Sequence, residues 1–371
     1  MVLARHAVRP FFDTATAPGP LLPIGPWDAA TPFVNGWMGV DLFFVLSGFL
    51  ITTQICNRYR GFADASTFGD YIKQRLLRIL PAYYFVLFLA AAGAIPLYHV
   101  APEALALRVG YHLLFLQDYL PSNIVVAFWS LGVEEKFYIV APFVLMLAFR
   151  LRRRAGQVLV LAALALIPPM LRAMAAQSHP EVTTYEPFFR IFRSPFNMSF
   201  DGLVVGSLCA LLYRDRERWL TSRRVAHAIF WAGAILALGL NVATIQLDQI
   251  GWFQEVPLQS LLAVGMGGIL LGLVLGGGPL ALFQGRWMLV VARLSYCLYL
   301  VHLTVLPAAQ RISEWLVASS ASMSLKLLVL APTFLILSFA AAMALHYAVE
   351  KPFLLLKERI RLPQTPPINR A

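Results

Sequence analysis

The run Gly39-Val40-Asp41-Leu42-Phe43-Phe44-Val45-Leu46-Ser47-Gly48-Phe49-Leu50 puts a carboxylate into a stretch otherwise apolar enough to enter a bilayer. A second run, Phe128-Trp129-Ser130-Leu131-Gly132-Val133-Glu134-Glu135-Lys136-Phe137-Tyr138, does the same with two carboxylates. An ionisable side chain at that depth is costly unless paired, so each run marks a functional site by default.

The rest of the chain fits a bilayer. Of its 371 residues, 59% are hydrophobic and 13% charged, against about 25% charged in a soluble domain. A soluble protein of this size cannot hide so much apolar surface, which points to an integral membrane protein. The net charge of +11 falls in short basic runs between apolar segments. That is the positive-inside pattern, not a nucleic-acid-binding face. Cys56, Cys209 and Cys297 sit in or beside apolar segments without metal-ligand spacing. They read as small packing residues, with neither a disulfide framework nor a zinc site.

Apolar stretches of spanning length run over about 38–55, 79–97, 128–149, 158–174, 198–212, 226–245, 256–275, 288–306 and 327–349. Arg58, Arg60, Lys73, Arg75 and Arg78 precede the second stretch. Arg150 to Arg154 follow the third, Arg214 to Arg224 the fifth, and Lys351 to Arg361 close the chain. Alternate loops are poorer in Lys and Arg, which puts the basic loops and the C-terminus in the cytoplasm. Residues 104–120 read as an external or re-entrant helix. Residues 1–9 read as the outer end of a first helix whose other half is missing. The expectation is an all-α, polytopic bundle of ten spans, the first truncated. The membrane domain covers 1–353, and 354–371 form a cytoplasmic tail. No secretory signal peptide is recognisable at the start.

Gly39-Val40-Asp41 with Phe43 to Leu50, Arg75-Leu76-Leu77-Arg78 and Pro81-Ala82-Tyr83 resemble the membrane acyltransferase 3 family. Trp129-Ser130-Leu131, Glu134-Glu135 and Phe137-Tyr138 continue the resemblance. So do Leu294-Ser295-Tyr296, Tyr299-Leu300, His302 and the closing Glu350-Lys351-Pro352-Phe353. These motifs occur in order from about Gly36 to Phe353. The family includes the O-antigen and nodulation-factor acetylases and macrolide-acylating relatives. The resemblance implies a multi-pass bacterial inner-membrane enzyme. Such an enzyme moves an acyl group, often acetyl from acetyl-CoA, onto a hydroxyl of a carbohydrate or other acceptor. The family also carries a histidine in its first helix, matched in place by His6, and an earlier arginine with no counterpart here.

Depth can be argued from the residues alone. At 1.5 Å per residue, His6 lies about 6 Å below the outer boundary if its helix ends near Pro10, and Glu134 and Glu135 lie roughly 9 to 11 Å into their span. Asp41 is near the outer start of its own span. Arg193, Asn197 and Asp201 sit at another outer entrance, and His302 lies toward the outer end of 288–306. A histidine near carboxylates is a general-base arrangement. The candidate catalytic residues are therefore His6, Asp41 and Glu134, with Glu135, Arg193, Asn197 and His302 as substrate-binding candidates. His6 either deprotonates the acceptor or first takes the acyl group as an acyl-imidazole. Glu134 is preferred over Glu135 because neighbours on a helix point about 100° apart.

Alternatives stay open at each position. Asp41 caps its helix, or either glutamate partners Lys136 or Arg193. His302 is a packed hydrogen-bonder between helices. Ser47 and Ser130 read as packing residues, since no Gly-x-Ser-x-Gly elbow occurs. Arg75 and Arg78, at i, i+3, fit the phosphates of acyl-CoA as donor, or serve only as positive-inside anchors. No Walker A or Gly-x-Gly-x-x-Gly run supports nucleotide hydrolysis. A flippase or transporter for a lipid-linked sugar would call for two structural repeats with broken helices, which the sequence does not display. An inactive, shortened homologue is the other rival.

Overall fold

In hydrocarbon every backbone polar group must find its partner inside the protein, so apolar runs of spanning length become helices. The computed structural model describes residues 1–8, 23–24, 27–28, 31–58, 65–120, 122–219, 222–243 and 250–359. Its first helices are α1 (Val2–Val8), α2 (Thr31–Val34), α3 (Gly39–Arg58), α4 (Ala65–Ala91), α5 (Leu105–Leu113) and α6 (Trp129–Phe149). Next come α7 (Arg154–Ala165), α8 (Ile167–Ser178), α9 (Tyr185–Phe188), α10 (Phe196–Ser199) and α11 (Asp201–Arg214). The chain continues through α12 (Arg223–Ala243), α13 (Trp252–Glu255), α14 (Pro257–Val274), α15 (Arg286–Leu316), α16 (Met323–Leu345) and α17 (Lys351–Arg359). The only strand pairing among the described residues is two residues long, Pro23–Ile24 antiparallel to Trp27–Asp28, and the fold is all-α as expected.

Seven stretches among the described residues are helical, long and apolar enough to cross a bilayer, from Pro32–Asn57 to Met323–Lys357. The sequence leads one to expect ten. The other three form helices of a different kind. α1 has 7 residues and α11 has 14, both short of a span. α6 has 21 residues but carries Glu134, Glu135 and Lys136. The expected span at 158–174 is bent, breaking at Leu166 between α7 and α8. α5 is too short to cross and packs on α4, where the Tyr83 hydroxyl meets His112 Nδ1 at 2.9 Å. The expected helix end near Pro10, part of the loop after Ile245 and the tail beyond residue 359 lie outside the described residues.

Two close helix crossings organise the bundle. A β-carbon on Gly48 of α3 would collide with the Leu203 carbonyl of α11, and one on Gly206 of α11 with the Val45 carbonyl of α3. Small residues let two membrane helices touch backbone to backbone, which gains dispersion where lipid offers no hydrophobic drive. Thr52 donates to Ser207 across the same contact at 2.8 Å. Gly233 of α12 plays the same part against Gly265 and Gly268 of α14. α14 also packs on α11 and α3, while α15 pairs with α16. Outward, Leu46, Leu50, Leu159, Met170, Ile235, Leu238, Leu328 and Ile336 are exposed. So large an apolar surface suits lipid rather than water. The first two turns of α6 lie inside, with Trp129 to Glu135 all buried, so its carboxylates face protein.

Candidate active site

A cavity of about 480 Å³ opens where the starts of α1, α3 and α6 meet the 185–194 segment and the middle of α15. His6, Arg5, Trp37, Trp129, Tyr185 and Arg193 are among its lining residues. The shape of each wall follows from local sequence. Pro195 ends a wide π-type turn at Phe189–Arg193, and π-type turns recur at functional sites. This one carries Arg193 into the protein, where both its terminal nitrogens donate to Asp41, at 2.9 and 2.8 Å. The guanidinium also stacks 4.7 Å from the Trp37 ring and 5.6 Å from that of Trp129. Asp41 is thus tied to Arg193. Arg193 lines the cavity with Asp41 behind it, and the pair holds α3 to the 189–193 turn.

The ring beside His6 is His302, with centroids 5.2 Å apart and planes tilted by 48°. His302 is fully buried. Its Nδ1 donates to the Tyr299 carbonyl at 2.8 Å and the Leu298 carbonyl at 3.2 Å. Tyr299 lines the cavity, stacks on Phe43 and meets the Ser130 hydroxyl at 2.5 Å. Arg5 donates to the Val34 carbonyl and lies over the Tyr185 ring. Near the mouth Lys136 pairs with Asp118 at 2.5 Å. Burial raises the Asp118 carboxyl above its ordinary value, and Lys136 opposes that. The lysine is therefore engaged with Asp118 and not with either neighbouring glutamate.

The remaining predicted residues lie elsewhere. Glu134 is outside the cavity lining and has Ser47, Tyr138, Arg75 and Arg78 as neighbours. Glu135 lies near Glu134 and Arg75. One carboxylate oxygen of each is buried without a partner in the protein. Asn197 sits on α10, where its backbone N–H donates to the Tyr119 hydroxyl at 3.3 Å. So the structure brings His6, His302, Arg193 and Asp41 together and leaves Glu134, Glu135 and Asn197 outside that cavity.

α4 begins at Ala65, well before the expected span, so Arg75 and Arg78 lie within a helix. They part company there. Arg75 donates to Gln54 and covers the Tyr138 ring at 4.9 Å. Arg78 lines a second cavity of about 350 Å³ with Arg293, His346, Glu350 and Lys357. Along α15, Arg293 and Leu303 of the two cavities are about 15 Å apart by helical rise. At the second cavity Glu350 accepts from Cys297 at 3.1 Å and from His346 at 2.6 Å. Their ligand atoms lie within 4.8 Å of one another, a donor set able to take a divalent ion, occupied here by hydrogen bonds. Sequence reasoning missed Arg293, Trp37 and Tyr185. A lone arginine two turns into a helix and single aromatics carry no spacing signal.

The profile of the acyltransferase domain family matches residues 1–348. A Haemophilus influenzae protein named "Uncharacterized protein" is 29% identical over 50% of this chain and 79% of its own length. The Bacillus subtilis protein named "Putative peptidoglycan O-acetyltransferase YrhL" is 26% identical over 52% of this chain and 31% of its own. The Staphylococcus aureus "O-acetyltransferase OatA" is 30% identical over 30% of this chain and 20% of its own. The matched region is thus under a third of the two named O-acetyltransferases. No solved structure matches. With several spanning helices, an apolar outer surface and a family match over nearly its whole length, the chain is a multi-pass membrane protein that belongs to the acyltransferase domain family.

Proposed function

We propose that this membrane O-acyltransferase takes an acetyl group from acetyl-CoA on the cytoplasmic side of a bacterial inner membrane and transfers it to a hydroxyl of a cell-envelope carbohydrate on the outer side. The observation that carries this reading is the His6 cavity. A histidine lies among the aromatic rings of Trp37, Trp129, Tyr185 and Tyr299, surfaces suited to the apolar face of a sugar. The name of the Bacillus relative, a putative peptidoglycan O-acetyltransferase, supports a carbohydrate acceptor.

For the donor, Arg78, Arg293 and Lys357 gather three cations at the second cavity. Guanidinium groups bind phosphates through paired charge-assisted hydrogen bonds. The coenzyme's phosphates dock there and its thioester arm enters the bundle toward His6. The basic loops and the C-terminus then face the cytoplasm, in keeping with the positive-inside pattern.

His6 removes the acceptor hydroxyl proton as the oxygen attacks the thioester carbonyl. The carbon–sulfur bond breaks, the thiolate leaves, and the proton from His6 restores the thiol. The products are an O-acyl ester and free coenzyme A. Purified protein in nanodiscs with radiolabelled acetyl-CoA and a carbohydrate acceptor tests this. Label in the carbohydrate together with stoichiometric free thiol is expected. Label that stays on acetyl-CoA with every envelope polysaccharide tried overturns the reading.

A further inference from the structure

We propose that Gln117 and Ser122 form a subsite for an acylamino group of the acceptor, so that the favoured substrate is a carbohydrate bearing a secondary amide. The proposal rests on the reading of the His6 cavity as the acceptor site. Both residues line that cavity, at 6% and 9% exposure. Gln117 Oε1 and Ser122 Oγ are buried, and neither has a hydrogen-bond partner among the described residues. A buried polar atom left unpaired is costly and uncommon in a folded protein. Two of them on one cavity wall point to a ligand that pairs with both.

The turn that carries Gln117 is fixed in advance. α5 ends with Phe115 in the left-handed region, at φ 55°, and the Leu116 N–H closes back on the Tyr111 carbonyl at 2.8 Å. A bulky residue in that conformation is strained and persists only where its surroundings hold it. Here Phe115 stacks on Tyr83 with centroids 4.9 Å apart, and Lys136 donates to its carbonyl. Next to Gln117, the Asp118 carboxylate accepts from Lys136 and from the Phe196 N–H at 3.2 Å, and the Asp118 carbonyl accepts from Ser194 Oγ at 2.7 Å. Gln117 Nε2 donates to the Phe128 carbonyl at 2.8 Å. A carbonyl only accepts, so the amide cannot flip, and Oε1 is left as a fixed acceptor. A polar group held this way loses little freedom when a ligand meets it.

The unpaired atoms set the chemistry of the ligand. Gln117 Oε1 takes only a donor, while the Ser122 hydroxyl has a proton to give. A secondary amide offers one of each, its N–H for Gln117 and its carbonyl for Ser122. The same segment adds Leu120, Val126 and Ala127 to the cavity lining, an apolar wall for the acyl methyl. A hydroxyl in place of the amide has no methyl to set against that wall. Arg193 and Arg190, which also line the cavity, are each paired with a carboxylate, which favours a neutral substituent over an anionic one. Pockets discriminate through a few placed polar groups in an apolar lining. An analogue that leaves such a group buried and unpaired is rejected.

Two readouts on protein in nanodiscs test this. The first is binding without donor, by saturation-transfer NMR, of methyl N-acetylglucosaminide against methyl glucoside. The acetamido sugar is expected to bind roughly tenfold or more tightly, with its acetyl methyl in closest contact, and equal binding overturns the proposal. Ser122→Ala gives up no hydrogen bond to the described residues, so its thermal midpoint is expected to match the wild type. It is expected to erase most of the preference and to leave methyl glucoside binding unchanged. A Ser122→Ala protein that keeps the wild-type preference overturns the proposal. Gln117→Met is expected to act in the same direction, but it also loses the bond to Phe128, so Ser122→Ala decides. The second readout is acyl transfer from radiolabelled acetyl-CoA to chitotriose and to cellotriose, which differ in that substituent alone. A kcat/KM roughly tenfold or more higher for chitotriose is expected in the wild type, and near-equal values in Ser122→Ala. Transfer to both at equal rates overturns the subsite and leaves the acyltransferase reading standing. Selective binding with no transfer to any envelope carbohydrate leaves the subsite standing and overturns that reading.

Discussion

Asp41 and Arg193, 152 residues apart in sequence, form a two-pronged buried ion pair at 2.9 and 2.8 Å. It joins the first residues of α3 to the turn that closes the cavity. Two aromatic rings cover the guanidinium, so the arginine is neither loose nor exchangeable with water.

Breaking that pair leaves a buried charge, which costs about 3–5 kcal/mol. Asp41→Asn and Arg193→Gln are each expected to lower the thermal midpoint of the detergent-solubilised protein sharply. The double replacement Asp41→Leu with Arg193→Met is expected to regain much of the loss, since removing both charges removes the desolvation penalty. Differential scanning fluorimetry reads all three. Additive losses in the double variant would contradict the pairing.

Gly48 belongs to the run that resembles the family, and the structure gives the reason: its α-carbon lies against the Leu203 carbonyl. Gly48→Ala forces α3 and α11 apart, with a cost of about 1–3 kcal/mol for overpacking. Gly69, with open space around it, is the control: Gly69→Ala is expected to leave the midpoint unchanged or to raise it. Comparing the two midpoints checks the crossing.

Arg78→Gln and Arg293→Gln are expected to raise KM for acetyl-CoA roughly tenfold or more, because a hydrogen bond to a charged group is worth about 1.5–3 kcal/mol. The effect on kcat is expected to be small. Arg75→Gln, which removes a contact with Gln54 and Tyr138, is expected to act on stability instead. Steady-state kinetics with acetyl-CoA varied separates them.

His112 on α5 lies outside the spans, and burial lowers its pKa from 6.5 to about 4, with Arg108 adding to the shift. The unfolded chain therefore takes up a proton between those values while the folded chain does not. Stability is full above pH 6.5 and falls as the pH drops toward about 4. His112→Gln is expected to flatten that stretch of the stability-versus-pH curve, measured by thermal unfolding across the range. A variant curve as steep as the wild type's contradicts the assignment.

Much of the fold was legible because it follows from one solvent constraint. The spans at 38–55, 226–245 and 256–275 became α3, α12 and α14 with ends shifted by only a few residues. The break at Leu166 and the early start of α4 were not legible, since hydropathy reports environment, not helix continuity. In the site, His6, His302, Asp41 and Arg193 were named from motif and depth. Their pairing was not, because sequence does not tell which of several buried carboxylates meets which cation. Glu134 and Asp41 both lie toward the outer starts of their helices by sequence, but helical rise does not say which partner each meets. The structure puts the first beside Ser47 and Arg75 and the second on Arg193.

The most direct test is acyl transfer by His6→Gln protein in nanodiscs, measured from radiolabelled acetyl-CoA beside wild type. The account predicts a loss of about a hundredfold or more, the scale of a general base, with membrane insertion and thermal midpoint unchanged. Transfer at the wild-type rate by a correctly inserted His6→Gln protein would contradict it.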